Sequence, residues 1–242
     1  MPDEKRPRAL VTGATGFIGR ALVSRLVEAG WETHAVVRPG SDISVLPAAV
    51  ATHVDDGSVR ALEGEVAAAK ADVCFHLAGR IVSAHRPEDI APLIEANVAF
   101  TCRLAEALAT RPGTLVVTAG TCWQHVGGAP YRAASLYAAT KQAAEDLLRF
   151  YADQEALRVI VLKVAQSYGA NDSGRKILNL LLAAATTGEP LDTTGGDQLV
   201  DLVDVDDVAR AFTVAAETFT AAPAPLVESY SVGSGRPISV RA

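Results

Sequence analysis

The chain has 242 residues, of which 49% are hydrophobic and 21% are charged, and its formal net charge at pH 7 is −6. This length and composition predict a folded protein with a large core and exclude a disordered chain. The acidic balance argues against nucleic acid as a partner.

Three features of the sequence predict a cytoplasmic protein. No apolar run approaches the roughly 18 residues that a membrane span requires. Residues 1–6 do not resemble a secretory signal. Cys74, Cys102 and Cys122 lie far apart without the spacing of metal ligands, so we expect reduced thiols and no metal site.

A glycine-rich turn joins the first predicted strand, residues 8–12, to a helix predicted over residues 17–29. Glycine stands at positions 13, 16 and 19. A dinucleotide needs backbone N–H groups close to its phosphates at a helix N-terminus, and side chains at these positions would block the turn, the pyrophosphate or helix–strand packing. The alternative is a turn that binds nothing. The spacing resembles the extended branch of the short-chain dehydrogenase/reductase superfamily, which implies cofactor contacts from Gly13, Thr15, Gly16, Phe17 and Ile18.

The next two predicted strands belong to the adenosine end of such a cofactor site. The second strand, residues 33–38, ends at Arg38. A basic residue there accommodates a 2′-phosphate, whereas an acidic one binds the ribose hydroxyls, so we predict NADP(H). A solvated surface arginine is the alternative. After a third strand over residues 51–54, the resemblance implies adenine contacts from Asp56 and Gly57, although an Asp-Gly turn explains these residues nearly as well.

The apolar run of residues 72–79 predicts a central parallel strand whose carboxyl end faces the cofactor. The residues expected at that end are Leu77, Ala78 and Gly79. We interpret His76 as a buried, hydrogen-bonded residue. Ser83 and His85 follow in a loop that could reach a substrate, and ordinary polar loop residues are the alternative.

A long helix is predicted over residues 88–108, and the resemblance implies that its Asn97 supports the cofactor and the active site. The next strand, around residues 115–117, leads to Thr118 and Thr121. A further helix is predicted from Tyr137 to about residue 151.

Tyr137 and Lys141 are four residues apart and therefore lie on one helical face, one turn from each other. A phenol with a pKa near ~10 is a poor acid or base at neutral pH, and a nearby ammonium lowers that pKa. We predict that Lys141 tunes Tyr137 in this way. A hydroxyl at the end of the preceding strand would complete the site, with Thr121 as the first choice and Thr118 as the second.

Five segments together resemble the nucleotide-sugar 4-ketoreductases of the CDP-abequose synthase type. They are residues 120–124, 136–142, 168–172, 175–180 and 198–201. The resemblance implies reduction of the 4-keto group of a nucleoside-diphosphate 4-keto-6-deoxyhexose by NADPH, with Tyr137 as proton donor, Thr121 as carbonyl partner and Lys141 on the nicotinamide ribose. The sequence departs from the pattern at residues 164–167, where such enzymes usually carry a more acidic or Asn-bearing segment.

The predicted fold is α/β, with a Rossmann doubly wound parallel sheet in an NADP-binding domain over residues 1–160. A smaller substrate lobe is predicted over residues 161–242. Resembling proteins continue with further helices, so two alternatives stay open: a shortened lobe, or one whose last part is not included in this sequence. Within it, Gln166, Arg175 and Lys176 are candidate substrate residues, because cations at a helix start could clamp a diphosphate; ordinary surface charges are the alternative. Asp201, Asp204, Asp206 and Asp207 are not interpreted as a metal site, because they alternate with apolar residues and Asp206 with Asp207 predicts a helix N-cap.

Three other functions are weighed. A 4,6-dehydratase of this superfamily carries Asp-Glu directly after the catalytic Thr, where this chain has Cys122 and Trp123. An epimerase retains NAD⁺ and usually has an acidic residue at the end of the second strand, where Arg38 stands. A non-catalytic NADP(H) sensor could dispense with Tyr137 and Lys141. The resemblance also implies a homodimer formed through the helices at residues 88–108 and 137–151.

Overall fold

The structure, a computed structural model, describes residues 6–172, 174, 176–191 and 195–241. Its centre is a seven-stranded parallel sheet. The first three strands are β1 (Arg8–Thr12), β2 (Glu32–Val37) and β3 (Ala51–Val54). The next three are β4 (Val73–His76), β5 (Thr114–Thr121) and β6 (Leu157–Val164). The spatial order is β3-β2-β1-β4-β5-β6, with a later strand beyond β6.

Helices cover both faces of this sheet. One face packs against α1 (Phe17–Glu28) and α7 (Val205–Phe219), and the other against α2 (Val59–Ala69), α4 (Phe100–Ala109) and α5 (Leu136–Asp153). Successive strand residues alternate between the two cores: Val11 contributes to the first and Leu10 to the second. Because both faces are buried, the strands are continuous apolar runs. The predicted doubly wound parallel sheet is confirmed.

The order of strands reverses between β1 and β4, which lie side by side although 60 residues separate them in the chain. Open α/β sheets bind ligands in the crevice at such a switch point, outside the carboxyl ends of the strands. The fold therefore directs attention to the segments that follow Thr12 and His76.

The chain after residue 160 contributes to two parts of the molecule. Its last long strand, β10 (Leu226–Val232), pairs in parallel with β6 and forms the edge of the main sheet. Separate from this sheet are α6 (Ile177–Thr187), the parallel pair β7 (Gln166–Tyr168) and β9 (Leu202–Asp204), and the antiparallel pair β8 (Leu199–Val200) and β11 (Ile238–Ser239). The proposed substrate lobe thus corresponds to these small elements, while β10 and α7 belong to the layers of the main sheet.

Two local predictions need correction. The helix expected over residues 88–108 is interrupted: α3 (Ile90–Ile94) passes into a π-helical turn over Glu95–Ala99 before α4 begins. The N-cap of α7 is Asp204, whose side chain accepts a hydrogen bond from the backbone N–H of Asp206, so Asp206 and Asp207 lie in the first turn. No helix in the described part of the chain is both long and apolar enough to cross a membrane.

Candidate active site

The turn between β1 and α1 has the close backbone packing that the glycine pattern predicts. Gly13 adopts a φ of +71°, and a Cβ there would lie 2.6 Å from the backbone nitrogen of Ala78. A Cβ on Gly19 would lie 2.0 Å from the carbonyl oxygen of Gly13. Both positions therefore exclude any side chain.

The N-terminus of α1 is arranged to receive an anion. Its N-cap, Gly16, provides no side-chain hydrogen bond, so the first N–H groups of the helix, beginning with Phe17 and Ile18, lack a side-chain cap. Uncapped N–H groups carry partial positive charge and favour negatively charged groups. Thr15, half-buried in the same turn, stands directly before this N-cap. The turn therefore fits the pyrophosphate of a dinucleotide.

The end of β4 is fixed by a buried hydrogen-bond chain around His76. Thr101 donates its hydroxyl to the carbonyl of Asn97, so its oxygen accepts from Nε2–H of His76 at 2.9 Å. Nδ1 then accepts from the hydroxyl of Thr12 at 2.8 Å. Burial, with a smaller contribution from Lys141, lowers the pKa of His76 to about 3. His76 is therefore neutral, and the prediction that it is a buried, hydrogen-bonded residue is confirmed.

Asn97 joins three segments of the site from within the π-helical turn. Its Oδ1 accepts from the backbone N–H of Arg80 at 2.7 Å, and its Nδ2 donates to the carbonyl of Arg80 and to the hydroxyl of Thr140. Thr140 belongs to α5, one turn after the start of that helix. Gly79 leaves room for this contact, because a Cβ there would lie 2.9 Å from Oδ1 of Asn97. Asn97 thus supports the loop after β4 and the helix that carries Tyr137.

The two candidate hydroxyl groups on β5, those of Thr118 and Thr121, differ in the hydrogen bonds that they make. Thr118 lies within the strand and donates its hydroxyl to the carbonyl of His76 at 3.1 Å. Thr121 is the last residue of β5, and its hydroxyl oxygen accepts a weak hydrogen bond from the backbone N–H of Trp123 at 3.3 Å. The Thr121 side chain also hydrogen-bonds to the Cys122 thiol at the end of the strand, whereas the Thr118 hydroxyl proton is used within the sheet.

Tyr137 and Lys141 lie on the first two turns of α5, and both are nearly buried, at 9% and 7% exposure. Burial raises the pKa of Tyr137 to about 12, and the nearby Cys122 thiol acts in the same direction. The predicted lowering of the tyrosine pKa by Lys141 is therefore wrong for this structure. Burial also lowers the pKa of Lys141 itself to about 8, because it disfavours the ammonium.

The residues predicted for the adenosine end differ in exposure. Arg38 follows β2 and is exposed, and its guanidinium has no hydrogen bond or ion pair with any residue that the structure describes. Asp56 is exposed and its Oδ1 accepts from the backbone N–H of Ser58. Its neighbour Asp55 is buried and accepts from the backbone N–H of Gly57. Sequence reasoning chose Asp56 although Asp55 is the more enclosed carboxylate.

The predicted substrate residues are less closely grouped. Ser83 and His85 lie exposed in the loop between β4 and α3. Gln166 begins β7 and is half-buried. Lys176 is already engaged: its ammonium donates to Ser167, pairs with Asp172 at 2.9 Å and lies 4.4 Å from the centre of the Phe17 ring. Arg175 lies outside the described residues.

Comparison with known proteins agrees with this geometry. Residues 9–233 match the model of the NAD-dependent epimerase/dehydratase family. The chain belongs to the NAD-dependent epimerase/dehydratase family. It is 33% identical over 259 aligned residues to a UDP-glucose 4-epimerase of Mycolicibacterium smegmatis, covering 97% of this chain and 79% of that protein. It is 21% identical over 234 aligned residues to the CDP-abequose synthase of Salmonella typhimurium, covering 96% of this chain and 77% of that protein.

Among solved structures, this family member resembles MoeE5 in complex with UDP-glucose and NAD. The two chains are 30% identical with a TM-score of 0.79, and the match covers 97% of this chain and 78% of MoeE5. The family and the fold thus agree with the extended short-chain dehydrogenase/reductase resemblance of the sequence.

Sequence reasoning missed several residues around the Tyr137 and Thr121 pair. The Trp123 ring lies edge-on to the Tyr137 ring, with centroids 6.4 Å apart. Beneath Thr121, Gln124, Glu145 and Lys163 form a buried polar network. Lys163 follows four apolar residues of β6, and a cation at that place in a buried strand is a signal in the sequence that could have identified the network.

Proposed function

We propose that the protein reduces the 4-keto group of a nucleoside-diphosphate 4-keto-6-deoxyhexose with NADPH. The observation that supports this proposal is that Tyr137 lies on α5 one turn before Lys141, with its ring edge-on to Trp123, two residues after Thr121 at the end of β5. With its pKa raised to about 12, Tyr137 is a phenol at neutral pH and can donate a proton. Reduction of a ketone requires such a donor, because the carbonyl oxygen becomes an alkoxide.

The chain's own residues then have distinct tasks. The Thr121 hydroxyl donates a hydrogen bond to the substrate carbonyl oxygen and orients it. Tyr137 donates its proton to that oxygen as negative charge develops. Lys141, one helical turn after Tyr137, holds the nicotinamide ribose. The bound NADPH supplies the hydride.

The fit for NADPH rests on two observations. The turn at residues 13–19 has no room for side chains and presents uncapped helix N–H groups, as a pyrophosphate requires. Arg38 is an exposed cation at the end of β2, where a 2′-phosphate would stand. Leu77, Ala78 and Gly79 follow β4 on the other side of the switch point, where the nicotinamide half would lie.

Residues beside Thr121 argue against a dehydratase. Elimination of water from the sugar needs an acid and a base beyond the tyrosine, and the family's dehydratases carry Asp-Glu after the catalytic Thr. Cys122 and Trp123 occupy those positions here. Neither an exposed thiol nor an indole can replace a carboxylate pair in this role.

A second candidate is a nucleotide-sugar 4-epimerase that uses NAD⁺. Two observations favour it: a UDP-glucose 4-epimerase is 33% identical to the chain, and MoeE5 binds NAD and UDP-glucose. Epimerisation also employs a tyrosine and a threonine, but Tyr137 must then begin as a base. Arg38, which stands where an epimerase usually has an acidic residue, favours the reductase instead.

One assay separates the two candidates. Purified protein is mixed with NADPH or NADH and a panel of CDP- and dTDP-4-keto-6-deoxyhexoses, and cofactor oxidation is followed by absorbance. UDP-glucose and UDP-galactose are tested in parallel for interconversion with NAD⁺. The proposal expects oxidation of NADPH by a 4-keto sugar, whereas interconversion without net cofactor oxidation would establish the epimerase.

A further inference from the structure

A chain of buried polar side chains runs beneath the candidate active site from β5 to β6. The backbone N–H of Thr121 donates to Oε1 of Gln124 at 2.9 Å. Nε2 of Gln124 donates to Oε1 of Gln142 at 2.8 Å and to Oε2 of Glu145 at 3.1 Å. The Glu145 carboxylate also forms an ion pair with Lys163. None of Thr121, Gln124, Glu145 and Lys163 is more than 7% exposed.

The backbone is shaped to accommodate this chain. Gly120 of β5 lies opposite Lys163 of β6 in the parallel register. A Cβ at Gly120 would lie 2.8 Å from Cδ of Lys163 and 3.0 Å from Oε1 of Gln124. Burying an ion pair is costly, and an apolar pair of similar size often stabilises a fold as well or better. The network is therefore poorly explained by fold stability alone.

The ion pair also acts on Lys141. Glu145 lies one helical turn after Lys141 on α5 and favours its ammonium form, while Lys163 on β6 opposes that form. Among the described residues, Tyr137 lies one turn before Lys141 on the same helix, and Lys141 also acts on the neutral His76 of β4. Glu145 and Lys163 are thus the two fixed charges of opposite sign beside the one cation of the proposed catalytic group.

We propose that Glu145 and Lys163 are positioning residues of this active site. Glu145 holds Gln124 against the end of β5, which fixes Thr121, and the two charges together set the electrostatic environment of Lys141. This inference deepens the proposed function and relies on it for the roles of Thr121 and Lys141.

Two single variants test the electrostatic part, because they change the field at Lys141 in opposite directions. Lys163→Met removes a repelling cation, so the pH above which turnover falls should rise by about one unit. Glu145→Gln keeps an acceptor for Gln124 but removes the attracting carboxylate, so the same limb should move down by about one unit. If the ion pair has only a structural role, this high-pH limb should stay in place in both variants or move in the same direction in both.

A double variant keeps the test decisive if a single variant fails to fold. Glu145→Met with Lys163→Met buries no unpaired charge and should fold. It removes the carboxylate that Gln124 binds and leaves only the hydrogen bond of Gln124 to Gln142, so kcat should fall roughly 10- to 100-fold through misplacement of Thr121. The affinity for NADPH at pH 7 should stay within about twofold, because this carboxylate does not touch the cofactor turn. Because the two charge effects oppose each other, the pH limb of this variant should stay near its wild-type position. Wild-type kcat in this variant would overturn the proposal.

A control variant and a choice of assay distinguish failure of this inference from failure of the proposed function. Glu32→Gln with Arg8→Met removes another ion pair, at the amino ends of β1 and β2 and so at the opposite edge of the sheet, and should leave kcat and its pH profile unchanged. If the wild type epimerises and does not reduce, the same variants are assayed in epimerisation, since it uses the same three residues. If the wild type does neither, the pH dependence of NADPH binding reports the charge on Lys141. Opposite shifts of the apparent pKa of binding in the two single variants support the inference, and an unchanged apparent pKa in both contradicts it.

Discussion

Tyr137 is the residue on which the proposed chemistry depends most. Burial keeps it protonated at neutral pH, with a pKa of about 12. Tyr137→Phe removes the proton donor with little change in shape, so single-turnover reduction should slow by roughly 10²- to 10⁴-fold while NADPH affinity is retained. Tyr131→Phe is a suitable control because Tyr131 is 52% exposed. A wild-type rate in Tyr137→Phe would remove this residue from the mechanism.

Arg38 is expected to set the preference between the two nicotinamide cofactors. Its exposed guanidinium can make a charge-assisted hydrogen bond to a 2′-phosphate, worth roughly 1.5 to 3 kcal/mol. Arg38→Ala should therefore weaken NADPH binding by at least about tenfold and leave NADH binding unchanged, as measured by fluorescence titration. Arg149→Ala, another exposed arginine, is the control. Equal wild-type affinity for both cofactors would contradict the assignment.

At the scale of elements, the turn between β1 and α1 offers a controlled comparison of two glycines. Gly13 and Gly30 have similar φ values, +71° and +81°, but only Gly13 has backbone atoms where a Cβ would stand. Gly13→Ala and Gly30→Ala should both lower the Tm through backbone strain. Only Gly13→Ala should also weaken the binding of both NADPH and NADH, because it displaces the loop at Ala78. Equal cofactor affinity in the two variants would show that this turn does not bind the cofactor.

The carboxyl group of Glu65 on α2, close to the loop that follows β3, should make the stability of the fold depend on pH. Burial, with Asp55 and Asp56 nearby, raises the pKa of Glu65 to about 7, and its Oε2 has no hydrogen-bond partner in the described structure. A carboxyl whose pKa is raised by folding favours the folded state in its protonated form, so this contribution is lost as pH rises from about 4.5 to 7. Glu65→Gln should therefore raise the Tm at pH 8, with a smaller gain at pH 5. An equal change at both values would contradict the assignment.

Some elements were predictable from sequence because their signals are local. Apolar runs and the glycine turn identify β1, β4 and the start of α1, and the four-residue spacing places Tyr137 and Lys141 on one face. The π-helical turn at Asn97 was not predictable, because its sequence continues a helical pattern. The raised pKa of Tyr137 was also missed, because burial is a property of the tertiary structure.

At the scale of the whole molecule, contacts between segments that are far apart in the chain could not be predicted from the sequence. β10 joins the main sheet beside β6, although the small strands and α7 come between them in the chain. The buried network was missed for the same reason, since Gln124, Glu145 and Lys163 come from three separate elements. Lys163 stands out among its apolar neighbours in β6, but the sequence does not show that it meets Gln124 and Glu145.

The homodimer remains a prediction at this scale. It would form through the helices of residues 88–108 and 137–151, and Phe150 on α5 is 58% exposed. Sedimentation velocity should give a dimer for the wild type and a shift toward monomer for Phe150→Glu, because burying a charge in an apolar interface is unfavourable. A wild type that sediments as a monomer at all concentrations would contradict it.

The most direct test of the proposed function follows the hydrogen that the cofactor donates. The protein is incubated with NADPH deuterated at nicotinamide C4 and with a nucleoside-diphosphate 4-keto-6-deoxyhexose, and the product sugar is analysed by mass spectrometry and NMR. Both C4-deuterated epimers of the cofactor are used, so that either face of the nicotinamide is covered. We predict one deuterium at sugar C4 from one of the two epimers, with equivalent loss of NADPH. Turnover of nucleotide sugars that leaves free NADPH unconsumed and sugar C4 without deuterium would contradict the account.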